Sequence, residues 1–313
     1  MLASTEELAV SEIFRACIGA YSHRTIRGYS SDLRTFVRWC GSRGHPWFPT
    51  APAVLAEFVD DQVLKHSLST IKRRLCAIAF AHRIRDLPAP TASNVVRLAV
   101  RRAARKRARR PKQVRGLTNA IREQIIAACP STLAGFRDAA LISVGYDSLC
   151  RSSELAVMQV EHVMLDNDET AMVIIPRSKS DVAGDGRVAY LSPQTTSLLT
   201  HWLEEAGLEA GPLFRGLHLN RPSDGPLATS SIRRLIKRAT MRAGLDPSIA
   251  KELSGHSMRI GAAQDMMNAG FDALAIMQAG GWKSANVVLR YVEKASARDL
   301  HTRRWQSLIE RSQ

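Results

Sequence analysis

Residues 254–270 read SGHSMRIGAAQDMMNAG, and residues 276–291 read IMQAGGWKSANVVLRY. Both read as helical segments; the first carries His256 and Arg259, the second brings Trp282 and then Tyr291. Working outward, DSLCRSSELAVMQVEHV (147–163) adds Arg151 and Glu154, and PRSKS (176–180) adds Lys179. The set supplies two guanidiniums, an imidazole, an indole N–H, an ammonium and a phenol. A hydrolase would want paired carboxylates or clustered metal ligands, and neither is in it. Cationic and N–H donors neutralise a phosphodiester, and a phenol can attack one.

Composition points the same way. The chain has 313 residues, with 44 Lys+Arg against 29 Asp+Glu and a formal charge of +15. That length accommodates two domains, each with its own core. The charge favours a polyanionic partner, because neutralising phosphates releases condensed counterions. A basic ribosomal or membrane-surface protein would share the charge, but 45% hydrophobic residues argue for packed globular domains. The five cysteines, Cys17, Cys40, Cys76, Cys129 and Cys150, are widely spaced and lack a CxxC pair. They read as buried reduced thiols of a cytosolic protein. No secretory leader and no membrane-length apolar run is visible.

Residues 1–100 read as helices. Apolar positions Ile26, Tyr29, Leu33, Phe36 and Val37 recur at helical spacing between Ser22 and Cys40. A further helix is expected from about Ala53 to Lys65. SLSTIKRRLCAIAFAHRIR is expected to start at a Ser67 or Ser69 cap, and PAPTASN to open a short helix. Residues 101–115, RRAARKRARRPKQVR, hold nine basic residues and no acid, and read as a basic linker over 101–116. Past it, LTNAIREQIIAAC, STLAGFRDAALISVGYDSL, SPQTTSLLTHWLEEAG and ATSSIRRLIKRATMRAG read as helices, the last capped at Thr229 or Ser230. AMVII (171–175) and RVAYL (187–191) read as a β-hairpin.

Cleaving a phosphodiester with a side chain makes three demands. Donors must meet the non-bridging oxygens as they gain charge. The leaving oxygen needs a proton, which a lysine or histidine can give. The attacking group must form a covalent bond, which a tyrosine can do. Taken singly, each residue has a duller account: a surface Arg151, a hydrogen-bonded His256, a packing Trp282, an exposed hairpin Lys179. In this order and spacing the pattern is far more specific than its parts.

With these motifs the chain resembles the tyrosine recombinases. The resemblance extends to RTIRGYSSDLRTFVRWC (24–40), LSTIKRRL (68–75) and PWFP (46–49), and thins around 176–186 and 210–250. It implies a mainly α, two-domain clamp: a helical core-binding domain over 1–100, the linker, and a mixed α/β catalytic domain with a small antiparallel sheet over 117–313. Carried over residue by residue, Arg151 and Arg259 match the phosphate-clamping arginines and His256 the histidine of the HxxR motif. Trp282 stands where members carry Trp or His, Lys179 matches the general acid, Glu154 the bracing acid and Tyr291 the nucleophile. No metal and no cofactor is implied.

The resemblance also implies double-stranded DNA with a specific recombination site as partner. Thr25, Arg27, Thr70, Lys72 and Arg73, then Arg105 and Arg107 in the linker, and Ser231 and Arg234 downstream are the expected DNA-facing residues. Most such contacts position the protein on phosphates, and only side chains reaching base edges specify sequence. The tail, with Trp305, Leu308 and Ile309 at helical spacing, is expected to exchange between protomers of a homotetramer on two sites. The expected location is the cytoplasm, on the nucleoid. The rival readings are a type IB topoisomerase-like nicking enzyme and a catalytically silent DNA-binding accessory protein.

Overall fold

A computed structural model describes residues 5–106, 113–166, 168–176, 186–292 and 305. The chain divides into two compact units, 1–111 and 112–313.

The first unit holds α1 (Thr5–Arg15), α2 (His23–Gly41), α3 (Pro52–Gln62), α4 (Leu68–Ile84) and α5 (Asn94–Lys106). α2 starts at Ser22, whose hydroxyl accepts from the Thr25 N–H at 3.2 Å. α4 starts in the same way at Ser67, which accepts from the Thr70 N–H at 3.3 Å. The faces that follow bury Leu33, Phe36 and Val37 of α2 and Ile71, Leu75 and Ile78 of α4 in one core. Phe58 of α3 meets Phe36 and Trp39 edge-on at 5.0 and 5.1 Å. Trp39 can be buried because its indole N–H donates to Asp61 at 2.8 Å.

α5 is not short. It runs to Lys106, into the stretch read as linker, because Val96, Ala99 and Ala103 form a buried stripe at helical spacing. That stripe packs the helix on α3, and Arg102 donates to Asp60 at 2.5 Å. Basic residues on its other face therefore do not interrupt it.

The second unit holds α6 (Asn119–Ala127), α7 (Leu133–Asp147) and α8 (Ser152–Leu155), then β1 (Val163–Leu165), β2 (Ala171–Ile175), β3 (Arg187–Leu191) and α9 (Pro193–Ala206). After these come β4 (Arg215–His218), β5 (Arg221–Pro226), α10 (Thr229–Arg242), α11 (Pro247–Glu252), α12 (Ser257–Asn268) and α13 (Ala273–Gly280). Residues 285–292 form α14. α7 is buried along most of its length and packs against α9 and α12, so it is the central rod of this unit.

The expected hairpin is present. β2 and β3 pair antiparallel from Ala171↔Leu191 to Ile175↔Arg187. β1 adds a third strand on the far edge of β2, with Met164 opposite Met172. Three residues are too few to show a strand period, so only the pairing reveals β1. A second, two-stranded sheet, β4–β5, also went unread. Its sequence RPSDGP carries Pro, Gly and Asp, which strands disfavour. The ribbon forms because Leu219 and Asn220 both take positive φ, 47° and 57°, the turn that matches strand twist. α10 is capped by Ala228, since Thr229 and Ser230 are already helical.

All five cysteines are free thiols: Cys17, Cys40 and Cys150 are buried, Cys129 is half-buried and Cys76 is exposed. Cys76 departs from the expected burial because it lies on the outer face of α4, opposite Ile71, Leu75 and Ile78. Among the described residues no helix is long and apolar enough to cross a membrane.

Candidate active site

The site is built where α7 ends. Ser148 caps that helix, and Leu149 takes a left-handed φ of 50°. This turn redirects the chain so that Arg151 becomes the N-cap of α8. The Arg151 N–H donates to Glu154 Oε2 at 3.0 Å, and its guanidinium reaches Oε1 at 2.5 Å. Only 4% of the Glu154 side chain is exposed, against 24% of Arg151. A buried carboxylate thus fixes a partly exposed guanidinium at a helix start.

His256 is the N-cap of α12, and its backbone N–H donates to Ser254 Oγ at 3.2 Å. Gly255 precedes it, and a Cβ there would run into Ser152 Oγ. The glycine therefore lets the His256 turn close onto the start of α8, beside Arg151.

One turn into α12, Arg259 is 1% exposed. Its Nη1 donates to the Leu149 carbonyl. Its Cζ lies 3.8 Å from the centre of the Trp282 ring, a cation–π stack. Its Nη2 is buried and has no hydrogen-bond partner among the described residues. Burial, and next the positive charge of Arg151, lower its pKa to about 10, while Glu154 opposes the shift. The group therefore stays cationic near neutrality.

Trp282 follows α13, which ends at Gly281 in the left-handed conformation with φ 65°. It is 7% exposed, and its ring centre lies 6.0 Å from that of Tyr291 on α14. The Tyr291 backbone carbonyl accepts from Gln264 at 3.0 Å and Gln113 at 3.2 Å. Leu149, Ala262, Ala263, Ile276, Trp282, Val288 and Val292 form a small core under these groups, with Tyr291 packed against it.

Of the seven residues read as catalytic, Arg259 stacks on Trp282, the Tyr291 ring lies beside Trp282 at a 60° tilt, and Arg151 with Glu154 forms a pair whose charges act on Arg259. His256 is exposed at the head of α12. Lys179 lies outside the described residues. Sequence reasoning missed Arg187, whose Nη2 donates to the Ser148 carbonyl at 2.5 Å and whose Nη1 donates to the Ala279 carbonyl at 2.9 Å. A signal existed: Arg187 shares the inward phase of β3 with Ala189 and Leu191. It was hidden because Val188 and Tyr190 make the opposite, exposed phase look like the apolar one.

The residues expected to face DNA differ in their surroundings. Arg27, Lys72 and Arg105 are exposed, on α2, α4 and α5. Thr25 and Thr70 are half-buried, and their hydroxyls meet the capping serines Ser22 and Ser67 at 2.9 and 3.0 Å. Arg73 is not a free surface cation: its Nη2 donates to Asp32 at 2.9 Å, and that carboxylate is 3% exposed. The pairing pre-sets the direction of a side chain that is still 61% exposed. On α10, Arg234 donates to Ser231 at 3.1 Å, and both line an open groove of about 450 Å³ with Lys237 and Arg238. Arg107 lies outside the described residues.

Comparison with known proteins accords with this geometry. Residues 115–298 match the phage integrase family, and residues 18–83 match the N-terminal SAM-like domain of phage integrases. The recombinase cre of Escherichia phage P1 is 31% identical over 291 residues, which cover 87% of this chain and 84% of that protein. An integrase/recombinase xerD homolog of Selenomonas ruminantium is 28% identical, over 87% of this chain and 82% of its own length. Among solved structures, the XerH site-specific recombinase bound to palindromic difH substrate superposes with a TM-score of 0.65 at 18% identity, over 93% of this chain and 85% of that one. A lambda integrase dimer bound to a COC′ core site gives 0.62 at 16% identity, over 93% and 77%.

Proposed function

The chain belongs to the phage integrase family and is a site-specific tyrosine recombinase, and from that premise we propose that it breaks and rejoins DNA strands through Tyr291. The observation that carries the assignment is Arg259: a buried cation stacked on Trp282, beside Tyr291, with an N–H that nothing among the described residues receives. A phosphate non-bridging oxygen is the acceptor such a donor fits.

In the proposed reaction the Tyr291 phenolic oxygen attacks phosphorus and the bond to the 5′-oxygen breaks. A 3′-phosphotyrosine forms. The phenol releases its proton to solvent, and Lys179 gives one to the departing oxygen and regains it from solvent, so protons balance over the step. Arg151, Arg259, His256 and the Trp282 indole N–H hold the charge that grows on the non-bridging oxygens, where fixed donors act most strongly. Glu154 keeps Arg151 aimed. The bond energy is retained in the ester, so attack by a 5′-hydroxyl rejoins the strand, and paired exchanges pass through a Holliday junction.

Residues 1–106, through the end of α5, would serve as the core-binding unit, the basic stretch that follows as a strap and 117–313 as the catalytic unit, closing as a clamp on double-stranded DNA. The charge of +15 and the α10 groove support a DNA partner. The enzyme would work in the cytoplasm, on the nucleoid. The test is to map covalent protein–DNA adducts on host DNA in the presence of EDTA, then place the recovered site on plasmids in one or two copies. A recombinase yields adducts at a defined site and rearranges only the two-site plasmid. Relaxation of the one-site plasmid without exchange would overturn the reading.

Assembly into a tetramer on two sites by exchange of the tail is part of the proposal. Trp305 is exposed, and Leu308 and Ile309 lie outside the described residues. Ending the chain after Ala297 removes all three, and each such side chain contributes roughly 1.5–3 kcal/mol when buried. The truncated protein is expected to bind one site normally and to fail to bring two together, as light scattering on DNA would read. A truncated protein that melts early yet still pairs two sites would place the tail on its own domain.

A further inference from the structure

We propose that Arg187 is a positioning residue for strand cleavage, fixing from the first position of β3 the two backbone segments that present Arg151 and Trp282. The inference rests on the recombinase reading above and extends it to a side chain outside the phosphate-binding set.

The geometry is specific. Ser148, whose carbonyl accepts from Arg187 Nη2 at 2.5 Å, is the C-cap of α7, at the turn that leads through Leu149 to Arg151. Ala279, which accepts from Nη1 at 2.9 Å, sits in the last turn of α13, just before Gly281 and Trp282. Helix C-termini leave carbonyls unpaired and carry partial negative charge. One planar cation therefore answers two helix ends at once. Cys150 Sγ lies 4.0 Å from the same Nη2, so the guanidinium runs along the backbone entering Arg151. Burial lowers the Arg187 pKa, and the Cys150 and Glu154 side chains work against that shift.

Two further contacts tie Arg187 to the site. The carbonyl next to Ser148, that of Leu149, accepts from Arg259 Nη1. The turn is thus held by two arginines, one from β3 and one from α12, and its displacement would move Arg151 and Arg259 together. At the other end the Arg187 stem packs on Gly281, where a Cβ would come within 2.9 Å of its Cδ. Gly281 sets the course of Trp282, whose ring carries Arg259. A lysine could not reproduce this, because a single ammonium on a flexible stem cannot span two carbonyls in fixed directions.

The experiment uses the full-length protein and a nicked suicide duplex carrying the site recovered by adduct mapping. Wild-type protein supplies the reference adduct and Tyr291→Phe the blank, so failure of the recombinase reading shows in the wild-type arm and failure of this inference in the Arg187 variants. Arg187→Ala is expected to bind the duplex as the wild type does while single-turnover adduct formation falls about 10²-fold, the scale of an ångström misplacement. Added guanidinium ion, at concentrations far below denaturing ones, should restore part of the rate, and ethylammonium should not. Arg187→Lys should stay slow. Adduct formation at the wild-type rate in Arg187→Ala would overturn the proposal. So would a variant in which binding, melting temperature and adduct formation fall together without guanidinium rescue, which marks a purely structural arginine.

Discussion

Tyr291→Phe is expected to form no covalent adduct with DNA while binding its site with near wild-type affinity. The substitution removes the phenolic oxygen and nothing else that holds the segment. The ring still packs against the small core and stays 6.0 Å from Trp282. The bonds from Gln264 and Gln113 go to the Tyr291 backbone carbonyl, which phenylalanine keeps. Loss of activity without loss of fold is therefore the outcome to look for, read as an SDS-resistant band beside a binding titration. An SDS-resistant adduct formed by the variant would falsify the assignment of the nucleophile.

The second large effect is expected at Arg259. Arg259→Lys keeps a positive charge but loses the planar group that stacks at 3.8 Å over Trp282. It also loses the fork that bonds the Leu149 carbonyl with one N–H and leaves another for phosphate. Removing one fixed donor to a charge that develops in the transition state costs on the order of 10²–10³ in rate. Single-turnover cleavage should fall by that factor while DNA affinity changes little, since the exposed cations Arg27, Lys72 and Arg105 are untouched. Because Arg259 is 1% exposed, a thermal melt must accompany the assay. A variant that melts like the wild type and cleaves at its rate would remove Arg259 from the phosphate site.

Much of the site was legible because its chemistry is written in side-chain type over short spans. His256, the N-cap of α12, and Arg259 are one turn apart, and Trp282 sits just before α14, which carries Tyr291. Arg151 and Glu154 are close enough to pair across the single turn of α8. Helix starts were legible for a related reason. Ser22, Ser67 and Ser192 cap with their own hydroxyls, so the signal is local.

What escaped reading depends on residues distant in the chain. α5 extends to Lys106 because α3 offers a surface for Val96, Ala99 and Ala103. β1 exists only as a partner of β2, and β4–β5 only through a turn of positive φ that its sequence does not announce. Arg73 looked like a free cation until the fold brought the buried Asp32 beside it, from 41 residues away.

By itself, then, the sequence determined two mainly helical units and the inventory of cationic, N–H and phenolic groups at the candidate site, because helical periodicity, capping and functional-group chemistry act over a few residues. Only the tertiary structure decided that Arg259 would stack on Trp282, that the turn at Leu149 would be held from two sides, and that Arg187 would bridge the ends of α7 and α13. The reason is physical. Hydrogen bonds to carbonyls freed at helix ends, and cations stacked in buried sites, join groups such as Arg187 and Ala279, 92 residues apart, and Arg259 and Leu149, 110 residues apart. Their partners are chosen by packing, which no local pattern records.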